Sequence, residues 1–589
     1  MQPFAKHPVD SPRPPEPKAA KLSAVATTSV VFSREQQDGA RPGLLHPLVF
    51  VLAGFIGCWA LIFVLYPPHS QQFALLHDWL STRGLVQFAY GGGIDYFDYA
   101  QAPPLGQWLS AIPFVWAFGF TFACLRLSTI ALSLIGLAAF YELMRHEGLS
   151  RSRAAFLAGT LAFCPLFFLL TGTFTREVAA LAFCLLGLAL YQRAIASNGI
   201  VPLAAATAVA VLAVLTKQDA IAVPIAAACV FLMRGGTLRG NVRWQIALLL
   251  PLIVGLASAL CFEIRPRAQY VNTGPMPPHL AVLLPYWSIQ FCGLAAVPAL
   301  ALVAPLRSWR RFLVGLALTA AFASYWSQVP DTPNRGLCPY GLTAVLSRTG
   351  IGEPSLFVGP RPTLLDASTQ WYLTVLGCIA GAALIARCSR WPRREFWQKP
   401  ILAFTVIEAL LILAKPRVYD RDFLFVIPGA IFLAGAPPVN ARARWHCGFA
   451  CLLLMATVSV CLVHDWFASS RALWDLGRRA IEERHIDARE MEGGLTWDGW
   501  HRKRSAVLGV DPFKDIGPYP TTTPRLTLMS THRVLPELAA DYALAFSQPP
   551  RCMVLDSEPY RLWLVPGDHS ILLVKYAPPT PTTADWETP

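Results

Sequence analysis

The chain has 589 residues, 54% of them hydrophobic and only 14% charged, with a formal net charge of +13. A soluble protein of this size carries roughly a quarter charged residues, so the composition excludes an ordinary soluble enzyme. The positive excess does not mark a nucleic-acid binder, because much of it falls in short loops between apolar runs.

Residues 1–45 are rich in Pro, Lys, Arg and Ser and have no sustained periodicity, which predicts a disordered cytosolic tail. A cleaved signal peptide is not expected: the charged leader is too long and the apolar run after it spans fully. From there apolar runs of about 18 or more residues recur, each long enough to cross hydrocarbon as a helix. Spans are expected near 47–66, 120–143, 154–171, 177–194, 201–216, 218–233, 245–263, 283–305, 312–326, 371–387, 401–414, 423–436 and 447–464. The apolar segment 104–118 is expected to lie along the membrane surface, because Pro103-Pro104 opens it and only a short join links it to the next span. The predicted fold is therefore an all-α polytopic bundle of about thirteen transmembrane helices over 46–465.

Loop charge orients this bundle. With the N-terminus inside, the inner connections carry Arg145, Arg151, Arg153, Arg193, Arg234, Arg310, Arg311, Arg387 and Lys399, among others. The outer connections mix signs: Arg176 with Glu177, Lys217 with Asp219, and Arg417 and Arg421 with Asp420 and Asp422. Basic residues in short loops face the cytoplasm, so residues after His464 are expected outside. That region, 466–589, changes character. An amphipathic helix is expected over 471–489, and short strands at 552–555 and 571–574, giving a small external α+β domain. The fourteen cysteines show no ligand spacing and read as small core residues, and no metal motif is present.

Polar breaks between the spans are the candidate chemistry. The first outer loop, 67–107, is long for a bundle, and long loops are usually functional or disordered. It holds an expected surface helix from Gln71 to Thr82, and the acids Asp78, Asp95 and Asp98. A carboxylate beside aromatic groups near lipid has a raised pKa and can act as a general base; the plain alternative is a solvated loop aspartate. Glu177 sits at a turn between spans, where an ionisable group reads as functional, or as one half of a charged turn with Arg176. Lys217 at a span's outer end can hold a phosphate or snorkel to headgroups. Arg126, in the first third of its span, is expected to face inward. Lys415, Arg417 and Arg421 can bind an anionic headgroup or pair with Asp420 and Asp422; Glu408 is expected to face the bundle.

In order, Tyr96-Phe97-Asp98, Pro103-Pro104-Leu105, Leu125-Arg126-Leu127-Ser128-Thr129, Phe174-Thr175-Arg176-Glu177-Val178 and Lys217-Gln218 resemble the dolichyl-phosphate-mannose-protein mannosyltransferase-like family of bacterial GT-C glycosyltransferases. Lys415-Pro416-Arg417-Val418-Tyr419 and Ile427-Pro428 resemble that family's late basic segment. The resemblance implies an inverting sugar transfer, from a polyprenyl-phosphate-linked donor to an acceptor hydroxyl on a glycan, lipid or protein, at the outer face of a bacterial inner membrane. It implies a first-loop carboxylate as base (Asp78 or Asp98), Glu177 in support, and Lys217, Arg417 and Arg421 on the donor phosphate. Asp95, Arg126 and Asp420 are possible supporting residues. No cofactor is named by the sequence and no dedicated metal spacing is present, although a carboxylate–phosphate pair can recruit Mg²⁺ or Mn²⁺. The chain departs from the family pattern in three places: His69-Ser70-Gln71-Gln72 replaces the usual early acid, Glu177 replaces an Asp, and Asp420-Arg421-Asp422 interrupts an apolar stretch. The competing reading is an inactive lipid-binding relative or a transporter, although the midplane-broken repeats typical of transporters are not evident.

Overall fold

In this computed structural model the described residues are 46–76, 78–89, 103–263, 278–302, 309–328, 345–347, 350–351, 358–359, 361–389, 392–415, 418–436, 442–502, 540–549 and 552–576. The expected tail 1–45 and three of the expected site residues, Asp95, Asp98 and Arg417, lie outside them. From Pro47 onward the chain forms one compact unit.

The helices run in chain order as α1 (Pro47–Leu65), α2 (Asp78–Ala89), α3 (Leu105–Phe118), α4 (Phe122–His146), α5 (Arg151–Ala162), α6 (Pro165–Thr171), α7 (Arg176–Ser197), α8 (Ile200–Thr216) and α9 (Ala222–Met233). They continue as α10 (Val242–Glu263), α11 (Pro278–Ala295), α12 (Val297–Ala301), α13 (Trp309–Gln328), α14 (Ala367–Cys388), α15 (Arg393–Trp397), α16 (Pro400–Leu413), α17 (Ile427–Gly435), α18 (Arg442–Glu482) and α19 (Leu495–Arg502). Each expected span coincides with a helix or a broken pair of helices. Among the described residues, six helices are long and apolar enough to cross a membrane alone: α1, α4, α7, α10, α14 and α18. The pair α5–α6, bent by 66°, makes a seventh if counted as one span. The bend falls where Pro165 opens α6, since proline lacks the N–H that would continue the ladder. The count of thirteen runs beyond this, because α8, α16 and α17 have 17, 14 and 9 residues and a lone crossing needs about 20.

Packing follows from small and aromatic residues rather than from a hydrophobic gradient, since lipid tails are as apolar as the helices. A Cβ on Gly136 of α4 would fall 3.0 Å from the Ala182 Cα of α7, so this pair of helices needs a glycine to close. On the other side of the bundle, Trp59 of α1 stacks on Phe168 at 5.0 Å between ring centres, and Phe55 meets the same ring edge-on at 5.6 Å.

Contacts sort the loops onto two ends. At one end Lys399 pairs with Glu147 at 2.5 Å, Gln192 donates to Glu147, Arg153 donates to the Gly435 carbonyl, and Arg234 donates to Gln398. At the other end residues 71–76, Asp78, 172–177, 217–219, Lys415, 418–425 and 464–465 meet. This is the alternation the loop charges predict. Helix α3 begins beside Thr216 and ends one short turn before Phe122, which touches Trp500. Both of its ends therefore lie at the same end of the bundle, and it does not cross.

Two expectations about helix bounds are corrected. The first-loop helix starts at Asp78, not Gln71, because the Gln71 and Phe73 carbonyls are taken by Arg126 and cannot serve a helical ladder. The expected helix at 471–489 is the second half of α18, which runs unbroken for 41 residues through the predicted boundary at 465/466. A four-stranded sheet packs on that second half, made of β3 (Met491–Glu492), β4 (Tyr542–Ala545), β5 (Cys552–Tyr560) and β6 (His569–Tyr576) in the order β3-β4-β6-β5. A two-stranded ladder, β1 (Leu346–Ser347) with β2 (Gly350–Ile351), precedes it in the chain. Leu473, Leu476 and Ala480 of α18 share a core with Trp497, Leu544, Ile571 and Leu573. Asp465 fixes the base of this unit by accepting from the backbone N–H groups of Trp563 at 2.6 Å and Leu564 at 3.0 Å, and the His464 ring stacks on Trp563 at 3.7 Å.

The two-ended arrangement makes a direct prediction. A reporter inserted after Ser197 and one inserted after His485 are expected to read opposite sides of the membrane. Signals from the same side would overturn the assignment of ends.

Candidate functional site

Three buried polar groups build the floor of the site at the end of the bundle that also carries the sheet. The first is Arg126, one turn into α4 and buried on every side. Its Nε donates to the Gly172 carbonyl at 3.1 Å, its Nη1 to the Gln71 carbonyl and side-chain Oε1 at 3.1 Å each, and its Nη2 to the Phe73 carbonyl at 2.6 Å. Phe73 and Phe467 flank the guanidinium at 4.8 and 5.0 Å. A guanidinium at this depth is tolerable only because its donors are met. It thereby ties the chain after α1 to the turn before α7. Gln71, within the stretch that replaces the usual early acid, supplies the neutral acceptor.

The second is Asp78. Its Oδ1 accepts from the Phe174 backbone N–H at 2.8 Å and its Oδ2 from that of Leu75 at 3.3 Å, so it stitches the first loop to the same turn. Burial pushes its pKa up to about 7, with Arg126 and the two backbone N–H groups opposing that rise. Asp78, expected as a candidate base, is here a fully buried tie.

The third is a charge network drawn from α7, the α8–α9 turn and the α16–α17 turn. Lys217 bonds Asp422 at 2.9 Å and sits 3.5 Å from Asp219, with its ammonium 4.4 Å from the centre of the Phe425 ring. Lys415 bridges the same two acids, at 2.5 Å to Asp219 and 2.8 Å to Asp422. Burial alone would lower the Lys217 ammonium, but Asp422 and then Asp219 outweigh it, and its pKa is raised. Burial would likewise raise Asp422, yet Lys217 and Lys415 hold its carboxyl well below the ordinary carboxylate range. Asp420 works differently: its oxygens accept from the backbone N–H groups of Val345, Leu346 and Arg421, anchoring β1.

Arg421 and Glu177 complete the network. Arg421 Nε lies 3.4 Å from Glu177 Oε1, and its guanidinium sits 5.0 Å from the Tyr419 ring centre. Among the described residues its two Nη atoms make no hydrogen bond, and Glu177 Oε2 is buried with no hydrogen-bond partner. Beneath the network Glu408 is buried in α16, with Oε1 likewise unbonded.

Of the expected phosphate ligands, then, Lys217 is matched to acids and Arg421 keeps a free fork. Sequence reasoning placed Asp219, Lys415 and Asp422 as loop charges but did not join them. The available signal was the complementary pattern of Lys217-Gln218-Asp219 against Lys415 and Asp422 on two turns of the same end. The sequence marked Gln71 only as part of the stretch that replaces the usual early acid, and nothing in it singled out Gln107. Among the described residues no group of three His, Cys, Asp or Glu side chains gathers as metal ligands.

Residues 101–270 match the family model of dolichyl-phosphate-mannose-protein mannosyltransferase, and they contain Arg126, Glu177 and Lys217. The resemblance read from the sequence holds over that segment. No curated protein sequence matches the chain. Among solved structures, ArnT from Cupriavidus metallidurans bound to undecaprenyl phosphate aligns at 14% identity over 89% of this chain and 97% of that one, with a TM-score of 0.38. The Archaeoglobus fulgidus oligosaccharyltransferase in the apo form aligns at 14% identity over 81% of this chain and 62% of that one, with a TM-score of 0.40. Neither assigns a role to a residue here.

Two outcomes test this geometry. Arg126→Lys keeps the charge but loses the fork, and is expected to cost on the order of 2–4 kcal/mol by leaving carbonyls unmet; a thermal midpoint equal to wild type would refute the tie. Asp78 has a folded pKa of about 7 against an ordinary 3.8, so the folded state holds a proton the unfolded chain has lost between those values. Stability is therefore highest at low pH and falls as pH rises from about 4 to about 7, by on the order of 4 kcal/mol at most. Asp78→Asn should flatten that slope in melting curves taken at pH 5 and pH 8.

Proposed function

We propose that the protein is a membrane glycosyltransferase that moves a sugar from a polyprenyl-phosphate-linked donor to an acceptor hydroxyl at the outer face, with inversion. The observation that carries this reading is the junction of Glu177 and Arg421. A buried carboxylate with one free oxygen meets a guanidinium with a free fork, where three turns converge at the membrane boundary. A planar fork fits phosphate oxygens bidentately, and a phosphate leaving group needs such charge compensation as its bond to carbon breaks.

In this reading the acceptor oxygen attacks the anomeric carbon from the face opposite the phosphate. The new C–O bond forms as the bond from the anomeric carbon to the phosphate oxygen breaks, and the electron pair leaves with the phosphate. The acceptor proton passes to a first-loop carboxylate. Asp78 has both oxygens committed to backbone N–H groups, so this role is given to Asp98, and Glu177 orients the reacting groups. Arg421 takes the departing phosphate, and Lys217 and Lys415 can exchange part of their pairing with Asp422 for a phosphate oxygen. In this reading Arg421 does the work a divalent ion would do on the donor phosphate, so transfer measured in excess EDTA is expected to run at the untreated rate.

The test is transfer by the purified full chain, given radiolabelled polyprenyl-phosphate sugars and a membrane lipid extract as acceptor. Glu177→Gln and Asp98→Asn are each expected to lower turnover by roughly two orders of magnitude or more while polyprenyl phosphate still binds. Arg421→Lys should weaken binding of that lipid as well. Wild-type transfer in Glu177→Gln would reduce the residue to an interfacial charge. Lipid binding without transfer from any donor by wild type would favour an inactive lipid-binding relative.

A further inference from the structure

Four buried polar atoms beside the Glu177–Arg421 junction have no hydrogen-bond partner among the described residues: Gln107 Oε1, Arg176 Nε, Glu177 Oε2 and Gln218 Nε2. Buried polar groups are nearly always bonded, so unmet atoms on segments that touch one another need a reason. Backbone contacts bring these segments together. Gln107 Nε2 donates to the Thr175 carbonyl at 3.2 Å, which places the amide next to Arg176 and Glu177 and leaves its oxygen as the open end. Gly106 lies so close to the end of α8 that a Cβ there would fall 2.2 Å from the Leu212 carbonyl oxygen and 2.3 Å from Thr216 Oγ1. That approach brings the start of α3 against the turn that carries Gln218.

The four atoms comprise two acceptors, Gln107 Oε1 and Glu177 Oε2, and two donors, Arg176 Nε and Gln218 Nε2. A phosphate group offers only acceptors and would leave Gln107 and Glu177 unmet. A metal ion would leave both donors unmet. A hydroxyl donates and accepts at once, so a ring bearing several hydroxyls satisfies all four. We propose that Gln107 and Gln218, with Arg176 and Glu177, form the subsite that recognises the hydroxyl groups of the transferred sugar. This rests on the transferase reading and extends it: the fork of Arg421 holds the phosphate, while the amides select what the phosphate carries. Gln107 and Gln218 then determine specificity, since a site built to bond hydroxyls rejects a ligand lacking them far more strongly than an apolar pocket does.

The experiment measures binding to the full chain in nanodiscs by thermal shift, using bare polyprenyl phosphate and the same lipid carrying a hexose or a pentose. Wild type is expected to bind one glycosylated lipid at least roughly tenfold more tightly than the bare one. Gln107→Leu and Gln218→Leu are each expected to lose that preference and keep the bare-lipid affinity. A preference retained in both variants overturns the subsite, as does a wild type with no preference for any glycosylated lipid. A wild type that fails to bind even bare polyprenyl phosphate overturns the transferase reading, and this inference with it. If Gln107→Leu does not fold, Gln218→Leu at its half-buried position decides alone.

Discussion

A charge placed below the membrane boundary must find its partners inside the protein, and that constraint organises this molecule. Arg126 satisfies it by taking three carbonyls and one amide oxygen from two separate segments. The price is a first loop that cannot be helical until Asp78, and Asp78 in turn reaches the Phe174 N–H. Both ties end on the turn from Gly172 to Thr175, which sets where Arg176 and Glu177 emerge. The junction of Glu177 with Arg421 is therefore positioned by residues that do no chemistry.

The charge network beside it is a different solution to the same problem. Lys217 and Lys415 share Asp219 and Asp422, so each cation is partly neutralised before any ligand arrives. Such a network is weak evidence of stability, because desolvation offsets most of the attraction. Its value is that the ammonium groups are held in place without being fixed to one acid. An incoming phosphate can displace part of the Asp422 interaction and leave no cation unpaired. Arg421 needs no such exchange, since its Nε holds Glu177 while its fork stays open.

The sequence disclosed the helices well, because a run of apolar residues between basic loops has few other meanings. It also disclosed which turns share an end, and the contacts at Glu147, Lys399 and Gln398 agree with that alternation. It misled where tertiary bonds overrule local pattern. The apolar spacing of Phe73, Leu76 and Leu80 reads as a helix from Gln71, but Arg126 claims the carbonyls that helix would use. Near 465, where the composition changes, the helical ladder of α18 continues without a break into the region that carries the sheet. Within the site, single acids and bases were visible in the sequence and their pairing was not. The pairs join turns 205 and 196 residues apart in the chain, Lys217 with Asp422 and Lys415 with Asp219, and no local pattern encodes which turns meet. Gln107 was invisible because a glutamine inside an apolar segment carries no periodic signature.

The unbroken course of α18 joins two media in one rod. Its first half sits among the spans, where Ser459 bonds the Phe163 carbonyl, and its second half carries the sheet. From His464 to Glu482 the rod extends roughly 27 Å. A tilt of about 5° at the level of His464 moves its tip by roughly 2 Å. That tip bears Trp474 and the sheet, and through Trp500 and Thr496 it touches Phe122 and Leu76 above the Arg126 tie. The fold thus carries one continuous rod from among the spanning helices to the sheet, and through Trp500 and Thr496 that rod is in touch with the first loop.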